Sequence, residues 1–192
     1  MNHPSRLHDF VASFTRLVDD GAGEERIFSE GKTLLAGLIA HDDWLPAGYA
    51  RASDQRYQQY LLYCDPAERF SVVSFVWGPG QATPVHDHTV WGMVGVLRGA
   101  ETCEEFAGTP PRPTCSHHLG QGAIDLVSPR VGDVHRVSNA FTDRVSVSIH
   151  VYGADIGKVE RHVFDAATGA PSPFVSGHVN AGAPALLRII DA

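Results

Sequence analysis

Residues 80–99 read GQATPVHDHTVWGMVGVLRG. His86 and His88 stand two apart, behind Pro84 and ahead of an apolar run. On a β-strand, side chains alternate between faces, so both imidazoles point one way and Asp87 the other. Two histidines on one strand face make half of a metal site. The rest of the chain has to supply a third ligand and the positions left open for chemistry.

On either side of this stretch the sequence is rich in short aromatic and β-branched runs. YQQYLLY (57–63) and RFSVVSFVW (69–77) precede it, with Gly78-Pro79-Gly80 as a turn. Further strands are expected at 92–98, 101–106, 123–127, 133–138, 145–152 and 157–164. Turns are expected at AGTPPRPT (107–114) and SPRVGD (128–133). Many short strands with regular turns predict an all-β barrel or sandwich. Before them, Leu7, Phe10, Val11, Phe14, Leu17 and Val18 recur at helical spacing, with Ser5 as N-cap and Gly21 as stop. A second helix is expected over about 24–30, and a third after Gly31. The expected organisation is one domain over 1–192: N-terminal helices over 1–45, a β-barrel over 55–165, and a tail over 166–192 that wraps the barrel as loop.

The chain of 192 residues has 15 basic and 22 acidic residues, for a net charge of -7. That balance argues against nucleic acid and against an anionic membrane surface as partners. Three cysteines, Cys64, Cys103 and Cys115, form no CxxC pair, and no disulfide framework or thiolate zinc site is expected. All three read as ordinary buried or edge residues. The start MNHPSRLHDF lacks the pattern of a secretory signal, and no apolar run approaches a membrane span, so a cytoplasmic location is expected.

The third histidine comes about fifty residues after the pair, in GDVHRVSN (132–139). Together the two stretches resemble the two-part motif of the cupin superfamily. The first part is Gly80-x5-His86-x-His88 with Gly99 closing it, and the second is Gly132-x2-His135-x3-Asn139. The resemblance implies a mainly β fold, a cupin (double-stranded β-helix, or jelly-roll) barrel behind an N-terminal helical segment. It also implies a metal held by His86, His88 and His135. Many cupins add a glutamate shortly after the H-x-H; here Thr89-Val90-Trp91-Gly92-Met93 has no carboxylate. Three neutral imidazoles leave up to three adjacent positions open and leave the metal one unit more positive than a 2-His-1-carboxylate site does. Such a site favours an anionic substrate, a thiolate for example. Imidazole ligands alone do not separate iron from zinc, nickel or manganese.

The strand VSVSIHVY (145–152) puts Ser148, His150 and Tyr152 on one face. After a three-histidine cupin site, this resembles the thiol dioxygenase family that includes cysteine dioxygenase. There, the three side chains form a hydrogen-bonded relay ending at the tyrosine hydroxyl beside Fe(II). Animal-type members carry a cysteine soon after the H-x-H that cross-links to the tyrosine; Trp91-Gly92-Met93 has none, so Tyr152 is expected unmodified. Cysteine-specific members use an arginine where this chain places Gln59, and a glutamine there marks the bacterial subgroup resembling 3-mercaptopropionate dioxygenase. The resemblance carries the carboxylate-binding role to Arg161, ahead of Arg98 and Arg144. It implies oxidation of a small thiol carboxylate by O2 to a sulfinate, 3-mercaptopropionate to 3-sulfinopropionate. Cysteine dioxygenase proper is the alternative; a zinc or nickel cupin isomerase or lyase and a non-catalytic metal-binding sensor are further ones. Trp91, Phe75 and Trp77 read first as core and second as pocket walls.

Overall fold

A computed structural model describes residues 5–183 and 185–190; residues 1–4 of the expected N-terminal segment and 184 and 191–192 of the tail lie outside it. The chain begins with helix α1 (Ser5–Asp19), whose buried stripe is Leu7, Phe10, Val11, Phe14 and Leu17. Gly21 ends it as expected. At φ 71° it lets its own N–H reach the Val18 carbonyl and the Ala22 N–H reach the Leu17 carbonyl. The next two helices differ from expectation. Gly31 does not separate them: α2 (Glu24–Arg26), a π turn (Ile27–Gly31) and α3 (Lys32–Ile39) run on continuously. Gly31 is there for close packing, since a Cβ on it would fall 2.8 Å from the Phe14 ring.

Eleven strands follow among the described residues: β1 (Gln58–Cys64), β2 (Ser71–Trp77), β3 (Val85–His86), β4 (Gly92–Arg98), β5 (Ala100–Ala107), β6 (Arg112–Gly120), β7 (Ile124–Val127), β8 (Val134–Asn139), β9 (Ser146–Tyr152), β10 (Arg161–Phe164) and β11 (Pro171–Phe174). They form two antiparallel sheets, ordered β1-β2-β9-β4-β7 and β11-β10-β3-β8-β5-β6. This is the mainly β cupin barrel with an N-terminal helical layer that the motifs imply. Two strands lie where turn or loop was expected. β6 begins inside 107–114, and β11 lies in the tail, which also carries helix α4 (Leu186–Ile190) with Leu186 and Leu187 buried. The tail is therefore not simple loop.

The first sheet divides two cores. Its outer face (Met93, Leu97, Val147, Ile149, Val151) packs on the helices. Gly95 lets α3 close in, because a Cβ there would come 2.9 Å from Ile39 and 3.2 Å from Leu35. Its inner face (Val73, Phe75, Trp77, Val96, Tyr152) meets Cys103, Leu119 and Val137 of the second sheet. Alternation on β9 thus turns its valines and isoleucine to the helices, and Ser148, His150 and Tyr152 into the barrel. Asn139 of the second motif is a tie: its amide donates to the carbonyls of Trp77, Gly78 and Arg144 at 2.8–3.1 Å.

Candidate metal centre and substrate pocket

His86 ends the two-residue strand β3 and is the register partner of His135 on β8. His88 lies beyond the strand, so simple alternation does not by itself bring the pair together. The loop does this instead, with Thr89 at φ 60°. Asp133 fixes that loop. Its carboxylate accepts the N–H groups of His88 and Thr89, each at 3.0 Å, and lies 3.2 Å from His88 Nδ1. Asp87 points away, as expected, accepting the His162 N–H at 2.6 Å.

The three imidazole centroids stand 4.7–4.9 Å apart, and one ring nitrogen of each lies within 4.8 Å of the others. Each Nδ1 already faces an acceptor: the Pro84 carbonyl at 3.0 Å for His86, the Asp133 carbonyl at 3.1 Å for His88, and the Cys103 sulfur at 3.5 Å for His135. A neutral imidazole that donates from Nδ1 presents a lone pair at Nε2, the arrangement of a metal-binding histidine. His88 Nε2 is enclosed and has no hydrogen-bond partner. Burial, then the other imidazoles, holds His86 and His135 well below the ordinary histidine value, so both rings stay neutral. Three buried lone pairs facing one another fit a divalent cation. No carboxylate joins this group among the described residues.

Across the barrel, Ser148 Oγ is 2.8 Å from His150 Nε2, and His150 Nδ1 is 2.7 Å from the Tyr152 hydroxyl. Phe75 stacks on His150 at 3.9 Å and fixes the ring plane. The Trp77 N–H donates to Ser148 Oγ at 3.2 Å. Burial keeps the Tyr152 phenol above its usual pKa and His150 below its own, so the relay is uncharged at neutral pH. Gly92 makes room for the phenol, since a Cβ there would fall 2.7–2.8 Å from Tyr152 ring carbons.

Both groups open onto one cavity of about 150 Å³, lined by His86, His135, His150, Tyr152, Gln59 and Arg161 among others. That is below the roughly 300–1,000 Å³ of pockets for drug-sized ligands. Phe75 and Trp77 serve as both core and cavity wall; Trp91 packs outside, against Phe14. Arg161 is 3% exposed. One guanidinium nitrogen donates to Ser176 Oγ at 2.7 Å, the group lies 4.6 Å over the Phe174 ring, and Nε has no partner. No carboxylate pairs with it among the described residues. Burial lowers its pKa, though not enough to discharge a guanidinium. Gln59 adds a buried, unpartnered amide oxygen. Arg98 and Arg144 are elsewhere, paired with Asp42 at 2.7 Å and Asp143 at 3.0 Å.

A family model described as cysteine dioxygenase type I matches residues 40–165. The chain belongs to the cysteine dioxygenase type I family. It is therefore a thiol dioxygenase, an oxidoreductase that adds O2, and its family and fold imply a metal cofactor. Cysteine dioxygenase type 1 of Rattus norvegicus is 25% identical over 174 residues, covering 86% of this chain and 82% of the relative. The Bos taurus protein of that name is 24% identical over the same length. Among solved structures, a Klebsiella pneumoniae protein with a double-stranded β-helix domain aligns with TM-score 0.48 and 20% identity, covering 59% of this chain and 90% of that one. A cupin superfamily protein from Desulfitobacterium hafniense aligns at 0.46 and 13%, covering 60% and 94%.

Three residues of this dioxygenase that sequence reasoning left without a role stand beside the site. Cys103 is not merely a core residue, because its sulfur meets His135 Nδ1. Asp133 orients His88; its place inside the second motif, between Gly132 and His135, was the available signal. Glu101 is completely buried against the relay. Nothing in the local pattern of β5 distinguishes it from a solvent-facing glutamate.

Proposed function

We propose that the protein uses Fe(II), held by His86, His88 and His135, to convert 3-mercaptopropionate and O2 to 3-sulfinopropionate. The observation that carries the reading is Arg161, a buried cation without a carboxylate partner among the described residues, which lines the same cavity as His86, His135 and Tyr152. A buried guanidinium with an open donor is costly unless an anion arrives, and a thiol carboxylate brings one. Cysteine is the second reading, favoured by the names of the relatives. Against it, no aspartate or glutamate lines the cavity among the described residues. The ammonium group of cysteine would enter without a counter-ion beside Arg161, whereas 3-mercaptopropionate carries only anionic groups.

Fe(II), held by His86, His88 and His135, would supply the redox chemistry that activates dioxygen toward a thiolate. Arg161 and Gln59 hold the carboxylate end. Tyr152, oriented through His150 and Ser148, presents its hydroxyl at the reacting end. Phe75, Trp77 and Phe174 wall the cavity against water. Overall, RSH + O2 gives RSO2⁻ + H⁺: sulfur loses four electrons, O2 gains four, and no outside reductant is required.

The test is anaerobic loading with Fe(II), then oxygen uptake with 3-mercaptopropionate, L-cysteine and cysteamine in turn. The reading predicts the highest kcat/KM for 3-mercaptopropionate. Equal or better turnover of cysteine would overturn the substrate assignment.

A further inference from the structure

Glu105, Cys115 and His117 form a cluster that the reaction does not use. Strand alternation brings them together. On β5, Cys103 belongs to the barrel's inner core, so Glu105, two residues on, lies on the same face. On β6, Leu119 is in that core, so His117 and Cys115 continue the face outward. The register sets Cys103 opposite His117 and Glu105 opposite Cys115. The inner face thus runs out to a rim where a carboxylate, a thiol and an imidazole meet. A Glu105 carboxylate oxygen, the Cys115 sulfur and one His117 ring nitrogen lie within 4.8 Å of one another. Glu105 and Cys115 are exposed and His117 is half-buried, so the rim is open to ions from solvent. None of the three lines the substrate cavity.

The orientation of His117 says what belongs there. Its Nε2 is 3.3 Å from the Asp125 carboxylate of β7, and its Nδ1 is 3.7 Å from Glu105 Oε1. The first is a hydrogen bond and the second is too long for one. A neutral imidazole has a single N–H. With that N–H donated from Nε2 to Asp125, the Nδ1 lone pair faces the Glu105 carboxylate, and the two repel unless a cation stands between them. The spacing suits a metal ion. Nitrogen and oxygen ligands at about 2.0–2.1 Å from a tetrahedral metal stand about 3.4 Å apart. A carboxylate on the far ring nitrogen is the usual support of a metal-binding histidine, as Asp133 supports His88.

We propose that Glu105, Cys115 and His117 make a second metal site that takes Zn(II), with Asp125 orienting His117 and a water completing the tetrahedron. A thiolate with an imidazole and a carboxylate selects Zn(II) over hard ions such as Mg(II) or Ca(II). Beside Glu105, the Cys115 thiol is held above its ordinary pKa and keeps its proton until the metal arrives. Binding then breaks the S–H bond, forms an S–Zn bond and releases the proton to solvent, with no change of oxidation state. The bound ion would clamp β5 to β6, the edge strand of the second sheet. This site stands apart from the iron centre and does not depend on which thiol is oxidised.

Co(II) is the probe, added anaerobically and without substrate to the Fe(II)-loaded protein. A single equivalent should produce a near-ultraviolet thiolate-to-Co(II) charge-transfer band, which a site of three imidazoles does not give. Zn(II) should then displace Co(II) and remove the band, since Zn(II) lies above Co(II) in the stability order. Cys115→Ser and His117→Ala should each abolish the band; both replace side chains at the open rim. Asp125→Asn should keep the band but weaken Co(II) binding about 10- to 100-fold, the usual effect of loosening a ligand's support. Absence of the band in the wild type, its survival in Cys115→Ser or His117→Ala, or resistance to Zn(II) would overturn the proposal. Unchanged affinity in Asp125→Asn would overturn the role given to Asp125.

Discussion

Replacing Arg161 by methionine separates binding from stability. Methionine keeps the apolar stem, loses the Ser176 hydrogen bond and the contact over Phe174, and leaves no charge in the cavity. A hydrogen bond to a charged group is worth about 1.5–3 kcal/mol, and the cation–π contact about 1 kcal/mol. Against these stands the burial of an uncompensated guanidinium, a penalty of several kcal/mol. The terms are opposed and similar in size, so unfolding free energy should change by no more than about 2 kcal/mol. Breaking a buried ion pair instead costs about 3–5 kcal/mol. Substrate binding should respond differently. Loss of a buried charged partner costs about 2–5 kcal/mol, or roughly 30- to 4,000-fold in kcat/KM at 1.4 kcal/mol per decade. Cysteamine, which has no carboxylate, should lose far less, so the preference of the wild type for 3-mercaptopropionate should collapse. The assays are steady-state oxygen uptake and thermal or urea unfolding of the same preparations. A kcat/KM within threefold of wild type, or an activity loss that merely follows the unfolded fraction, would refute the reasoning.

Three other perturbations test separate parts of the account. Asp133→Asn should weaken Fe(II) binding about 10- to 100-fold by loosening His88, as groups supporting a metal ligand generally do; competition with a chelator measures it. Gly92→Ala should cost about 1–3 kcal/mol of stability through overpacking and lower kcat about 100-fold by displacing the Tyr152 ring, read from unfolding curves and initial rates. Glu101 has a folded-state pKa above its ordinary value of 4.5, so the native state holds its proton longer than the unfolded chain does. Its contribution is present below pH 4.5 and is lost as pH rises to about 7. The loss is about 3 kcal/mol, and Glu101→Gln should therefore raise Tm at pH 8 while leaving it nearly unchanged at pH 4.5.

The residues that sequence made legible are those whose placement follows from short-range rules. Period-two alternation put Ser148, His150 and Tyr152 on one face, and β9 carries them there. The glycine and histidine spacings marked the three imidazoles, although His88 arrives by a loop rather than along a strand. Gln59 and Arg161 could be named only by resemblance, because nothing near them in sequence says that they share a cavity. Prolines misled the reading of β6 and β11. Both are edge strands, where a residue lacking an N–H is tolerated. Gly31 misled in the opposite sense: it holds helical angles (φ -62°) and serves Phe14 packing rather than a break. Cys103, Asp133 and Glu101 acquire their roles only when β5 and β8 pair and face β9, a register set by contacts far apart in the chain.

The central claim is that three histidines, a phenol relay and a buried arginine direct both atoms of O2 onto the sulfur of a thiol carboxylate. The most direct measurement is the product mass after turnover of 3-mercaptopropionate under ¹⁸O2 by the Fe(II)-loaded protein. The account predicts 3-sulfinopropionate carrying two labelled oxygens, formed one-for-one with O2 consumed. Product with one label or none, or disulfide as the only product, would contradict it.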